Sequence, residues 1–142
     1  MSDSDDAAAR RVWDVMRTMV LDHDLKREVA EALGMSFFRV KALRRLAKGP
    51  MTMRQLAEKL ATDAPYTTLM VDDLERRGLV ERTVNPGDRR SKLVNATEAG
   101  RAMAARAEEI MDRPPRQLVE LDPADLAELD RVLGGLLESL QG

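Results

Sequence analysis

Apolar residues recur at intervals of three and four along most of the chain, the mark of helices that bury one stripe. Val12, Trp13, Met16, Val20, Leu25, Val29 and Leu33 predict one long helix, stopped by Gly34. The acidic start before it, Met1 to Asp6, is expected to be disordered. Ser36 caps a second helix with Val40, Leu43, Leu46 and Ala47 inward and a basic opposite face, ending at Lys48-Gly49-Pro50. Thr52 and Gln55 form a capping box for a short helix with Leu56, Ala57 and Leu60 inward. Thr62 or Asp63 caps the next, in which Thr67, Met70, Val71 and Leu74 form the inner stripe and Gly78 the stop.

Beyond Gly78 the period changes from helical to extended. Leu79 to Val84 and Lys92 to Ala96 read as short strands, and Asn85-Pro86-Gly87-Asp88 between them is turn chemistry, since Pro presets φ and Gly permits positive φ. Thr97 caps a helix running through Met103, Ala107 and Ile110 until Pro114-Pro115 breaks or kinks it. Asp122-Pro123 starts a last helix carrying Leu126, Leu129, Val132, Leu133, Leu136, Leu137 and Leu140. The fold class is mainly α with one small β-hairpin.

Composition narrows the function. The 142 residues are 44% hydrophobic and only 3% aromatic, a helix-forming mixture with enough apolar material for one core, taken as a single domain over 1–142. No apolar run approaches the roughly 20 residues that span a bilayer, so no membrane partner is expected and the cytoplasm is the default location. With no Cys and one His, thiolate zinc sites, disulfides and multi-histidine metal sites within one chain are excluded, and no cofactor is expected. No Gly-rich phosphate loop, Cys nucleophile or plausible triad is present, so the chain does not read as an enzyme.

Net charge is −2, but its distribution is uneven. Residues 35–106 carry 15 basic and 8 acidic side chains, against 5 and 8 in residues 1–34 and 3 and 9 in residues 107–142. A basic centre between acidic ends is the footprint of a polyanion partner, with a solvated helix surface as the plainer alternative. Two short helices with a brief break form a helix-turn-helix layout, and the hairpin that follows presents Asp88, Arg89, Arg90 and Lys92 near its tip. That arrangement suits double-stranded DNA: a helix enters a major groove about 12 Å wide while a thin ribbon reaches the minor groove or backbone.

The run Leu74-Glu75-Arg76-Arg77-Gly78-Leu79-Val80, then Asp88-Arg89-Arg90, then Thr97-Glu98-Ala99-Gly100 resembles the MarR family of winged helix-turn-helix regulators in both residue types and gaps. The resemblance implies a homodimer held by helices at about 7–34 and 101–142, around a winged DNA-binding lobe at about 35–100. It also implies a ligand-responsive repressor on a pseudo-palindromic operator, with a recognition helix at about 63–77 in the major groove and a wing at about 79–96 in the minor groove. In the wing, Asp88 would orient Arg90 into the minor groove with Arg89 alongside.

On the recognition helix, Tyr66, Thr67, Thr68 and Leu69 are the candidate DNA contacts, although the same periodicity places Thr67 inward. Leu69 suits a thymine methyl, whereas Asp72 and Asp73 are expected outward, where acidic groups oppose DNA. Arg39, Arg44 and Arg54 are phosphate-contact candidates. Trp13, Met16, Met19, Phe37, Phe38 and Met111 are candidates for a pocket holding a small apolar or aromatic effector, or else plain core. His23, between Asp22 and Asp24, is a possible switch but reads more simply as a solvated surface residue. The competing reading of the whole chain is a winged-helix protein–protein interaction module with no DNA function. Ala96 before Thr97 and the Pro114-Pro115 break depart from the family pattern.

Overall fold

A computed structural model describes residues 2–22 and 24–142; His23, the candidate switch, lies outside them. Its elements in chain order are α1 (Asp3–Asp22), α2 (Leu25–Leu33), α3 (Phe37–Leu46), β1 (Met51–Thr52), α4 (Met53–Leu60), α5 (Ala64–Arg76), β2 (Val80–Val84), β3 (Lys92–Ala96), α6 (Glu98–Asp112), α7 (Arg116–Val119) and α8 (Pro123–Gln141). They form two compact units, residues up to Met111 and residues from Asp112 onward. The boundary falls next to Pro114-Pro115, whose missing N–H groups end α6. Among the described residues no helix is long and apolar enough to cross a membrane.

Local signals carry most of the first unit. Ser36 Oγ accepts from the Arg39 N–H, the Thr52–Gln55 capping box forms in both directions, and Asp63 rather than Thr62 caps α5 by accepting from the Tyr66 N–H at 2.7 Å. The inner stripes of α3, α4 and α5 converge, with Leu43, Leu56, Met70 and Leu74 fully buried. Against them lies a three-stranded antiparallel sheet in the order β1-β3-β2. β2 and β3 form the expected hairpin, Val80 opposite Ala96 and Val84 opposite Lys92. β1 has no sequence signal because two residues cannot show a period; it pairs Met51 with Val94 and closes the sheet's other edge.

Two expectations fail at the N-terminal end. The acidic start is helical from Asp3: Ser2 Oγ accepts from the Asp5 N–H at 3.2 Å and the Ser2 N–H donates back to the Asp5 carboxylate at 3.4 Å. That is a capping box, and Asp3, Asp5 and Asp6 sit at the positive end of the helix dipole. The long first helix is also two helices. Val12, Met16 and Val20 are spaced by four, but Leu25 follows Val20 by five, so a straight helix would rotate Leu25, Val29 and Leu33 away from the first stripe. Breaking between Asp22 and Leu25 frees the second stripe, and Val29 and Leu33 reach the core while Val12, Trp13 and Val20 stay exposed.

The junction between hairpin and α6 is tightly built. Gly78 takes φ +75°, which turns the chain from α5 into β2. Thr97 Oγ donates to the Gly78 carbonyl at 2.7 Å and accepts from the Gly100 N–H at 3.1 Å, while the Thr97 N–H donates to the Leu79 carbonyl at 3.0 Å. A Cβ on Gly100 would lie 2.0 Å from the Leu79 carbonyl oxygen, so only glycine lets α6 seat there. The second unit holds α7 and α8, the latter capped by Asp122. Leu126, Leu129, Leu133, Leu136 and Leu140 repeat at alternating intervals of three and four, and all are exposed.

Candidate nucleic-acid interface

The helix-turn-helix is α4, a three-residue turn and α5. Ala61 makes the turn at φ 52° and ψ 47°, a left-handed conformation unusual for a residue with a Cβ, and the Thr62 N–H closes it on the Ala57 carbonyl at 3.0 Å. The outward side of α5 presents Pro65, Tyr66, Thr68, Leu69 and Asp72. Thr67 does not belong to it. It is 1% exposed and its hydroxyl donates to the Asp63 carbonyl, so of its two conflicting assignments the core one holds. Thr68 hydroxyl likewise donates to the Ala64 carbonyl at 3.0 Å, but remains exposed with its lone pairs outward. Tyr66 packs its ring against Phe38 with centroids 5.4 Å apart, which anchors the start of α5 to α3.

The acidic residues on this helix, expected to repel DNA, are held by arginines. Asp73 is largely buried, and accepts from Arg39 at 2.8 Å, Arg77 at 2.9 Å and Arg76 at 3.0 Å. Arg76 first, then Arg39 and Arg77, hold its carboxyl at about 2, well below the ordinary carboxylate value of 3.8. Asp72 and Glu75 both accept from Arg82 on β2, at 2.5 and 2.9 Å, which ties the reading helix to the root of the hairpin. These pairs correct two phosphate candidates. Arg39 is half-buried and turned onto Asp73, and Arg44 donates to Glu108 at 2.7 Å. Arg54 stays on the surface, 91% exposed and only loosely paired with Glu58 at 3.6 Å. Arg76 and Arg77 pair with Asp73 at helical spacing, but Arg39 and the role of Arg82 escaped the sequence because their partners lie 34 and 10 residues away, with no periodicity linking them.

The hairpin tip is ordered by its own side chains. Asn85 Oδ1 accepts from the Gly87 N–H and its Nδ2 donates to Ser91 Oγ, both at 3.0 Å. Asp88 Oδ1 accepts from the Arg90 N–H at 3.0 Å and from Arg90 Nε at 3.4 Å, leaving the guanidinium 94% exposed beyond the tip. Arg89 and Lys92 are exposed beside it.

The candidate effector residues do not share one cavity. Trp13 is 64% exposed and Met16 half-buried on α1, whereas Phe37, Phe38 and Met111 are partly buried against the core. Two concavities, about 520 Å³ between α4 and α5 and about 470 Å³ beside β1 and α4, are lined by none of them.

Residues 39–92 match the family model described as the MarR family. The chain is 33% identical over 84 residues to the HTH-type transcriptional repressor NicR of Pseudomonas putida, which covers 59% of this chain and 51% of that protein. It is 31% identical over 93 residues to the organic hydroperoxide resistance transcriptional regulator of Bacillus subtilis, covering 63% of this chain and 60% of that one. These matches thus span little more than half the length of either curated relative. In fold, it superposes on the multiple antibiotic-resistance repressor MarR of Listeria monocytogenes with a TM-score of 0.82 over 99% of both chains, at 16% identity. The matched stretch takes in most of α3, the helix-turn-helix, β2 and the Asp88-Arg89-Arg90 tip, and over this region the chain matches the MarR family.

Proposed function

We propose that this protein is a DNA-binding transcriptional regulator that acts as a homodimer in the cytoplasm, with α5 in the major groove and the β2–β3 wing in the minor groove of each operator half. The observation that carries this reading is the wing tip: Asp88 holds an otherwise solvent-exposed Arg90 beyond a hairpin that Arg82 ties to the reading helix. A narrow minor groove concentrates negative potential and favours such a guanidinium. Arg89, Lys92 and Arg54 supply phosphate contacts, and Tyr66, Thr68 and Leu69 face base edges. The apolar exposed sides of α1 and of α8, with Trp13 64% and Leu140 78% exposed, are surfaces that a second copy covers.

The regulator acts as a repressor by occluding a pseudo-palindromic operator whose half-sites lie about one helical turn, 10 bp, apart. A small apolar or aromatic effector releases it by favouring a dimer with different spacing between reading helices. Phe37, Phe38 and Met111, together with Trp13 and Met16, line the effector's site once the dimer forms. The absence of Cys from these 142 residues rules out a thiol as the sensor.

The test is binding to DNA from the protein's own promoter region between 50 and 200 mM salt. Wild type loses affinity steeply with salt as counterions are released, and Arg90→Ala weakens binding roughly tenfold or more. Affinity that is flat with salt and indifferent to Arg90→Ala, or a stoichiometric protein partner with no DNA bound, overturns the reading.

A further inference from the structure

We infer that each operator half-site is read in the major groove through thymine methyl groups, and that Leu69 is the residue that determines this specificity. The inference rests on the DNA-binding reading above and names the chemistry α5 recognises. Each base offers a distinct edge there: guanine two acceptors that suit Arg or Lys, adenine an acceptor and a donor that suit Asn or Gln, cytosine a donor that suits a carboxylate, and thymine a methyl. From Asp63 to Glu75 the chain contains no Lys, Arg, Asn or Gln. Guanine and adenine therefore have no bidentate partner before the last residue of this helix, Arg76, which is paired with Asp73.

Apart from the Tyr66 hydroxyl and the outward lone pairs of Thr68, the remaining polar groups of its first three turns are engaged within the protein. Asp63 accepts from the Tyr66 N–H, and the Thr68 hydroxyl gives its hydrogen to the Ala64 carbonyl. Arg82 holds the Asp72 carboxylate, the one acidic group on the outward side that a cytosine amino group would need. What points outward from the middle of the first two turns is Leu69, 57% exposed, with Pro65 one turn earlier on the same side. An apolar side chain there matches one base feature only, the thymine methyl.

The full-length chain is used to recover retained genomic fragments, and the thymines of each half-site are then replaced by deoxyuridine, which keeps base pairing and removes only the methyl. Wild type is expected to lose about fourfold in affinity for each methyl it covers, with an unchanged salt slope. Leu69→Ala is expected to bind the thymine operator as weakly as wild type binds the deoxyuridine one, and to ignore the replacement. Because Leu69 is exposed, this variant should melt with wild type, which separates lost readout from lost folding. Equal wild-type affinity for both operators with a steep salt dependence, or undiminished deoxyuridine sensitivity in Leu69→Ala, overturns the inference and leaves the regulator reading standing. Failure to retain any DNA overturns both.

Discussion

Gly100→Ala tests whether the seat of α6 against the hairpin root is as tight as its geometry implies. The added methyl would stand 2.0 Å from the Leu79 carbonyl oxygen and 3.0 Å from its carbon, about 1 Å inside any tolerable approach to backbone. Either α6 or the Gly78–Leu79 turn must move. Both alternatives stretch the Thr97 N–H to Leu79 bond at 3.0 Å and the Thr97 hydroxyl to Gly78 bond at 2.7 Å. Overpacking costs about 1–3 kcal/mol and each weakened hydrogen bond about 0.5–1.5 kcal/mol, while Ala improves helix propensity by about 1 kcal/mol. The net loss is about 3 kcal/mol. It is read as a lowered urea midpoint, by circular dichroism at fixed protein concentration, with an unchanged m-value. Gly135→Ala, on exposed α8 with no atom within 4 Å of the new methyl, is the control and should gain up to about 1 kcal/mol. A Gly100→Ala variant as stable as wild type refutes the argument.

Two further perturbations follow from the same geometry. Ala61→Gly relieves the left-handed turn between α4 and α5, and after the entropy cost of glycine should stabilise the fold by about 0.5–1 kcal/mol, seen as a raised melting temperature; a lower one contradicts the strain argument. Because the carboxyl of Asp73 titrates lower when folded than when unfolded, its stabilisation is present above about pH 4 and is lost as pH falls from there toward 2. Melting temperatures measured across that window should fall less steeply in Asp73→Asn than in wild type, and parallel curves would show that the arginine cluster contributes nothing.

The divisions between helices and hairpin were legible in the sequence because their causes are local. Ser36, Thr52 with Gln55, Asp122, Asn85-Pro86-Gly87 and Pro114-Pro115 each act within about four residues of themselves, the reach of a cap, a turn or a missing N–H. The Asp88–Arg90 pair belongs with them, two residues apart on one turn. The cap that Ser2 and Asp5 form is equally local, but its signal is masked by the aspartates around it. Whether α1 and α2 were one helix also lay in the sequence, in the five-residue step from Val20 to Leu25.

Tertiary structure alone decided which charges were available to a ligand. Helical periodicity placed Asp73 outward and Arg39 on a basic face, yet the fold brings the two within 2.8 Å, and the attraction turns both away from the surface where DNA was expected. Arg82, unremarkable in sequence, becomes the link between wing and reading helix because β2 returns beside α5. Gly100 had a place in a motif, but its reason is a carbonyl oxygen 21 residues earlier. Caps and turns are satisfied within a few residues and so leave a local pattern, whereas ion pairs and close packing are satisfied by whatever the fold brings near, which no local pattern encodes.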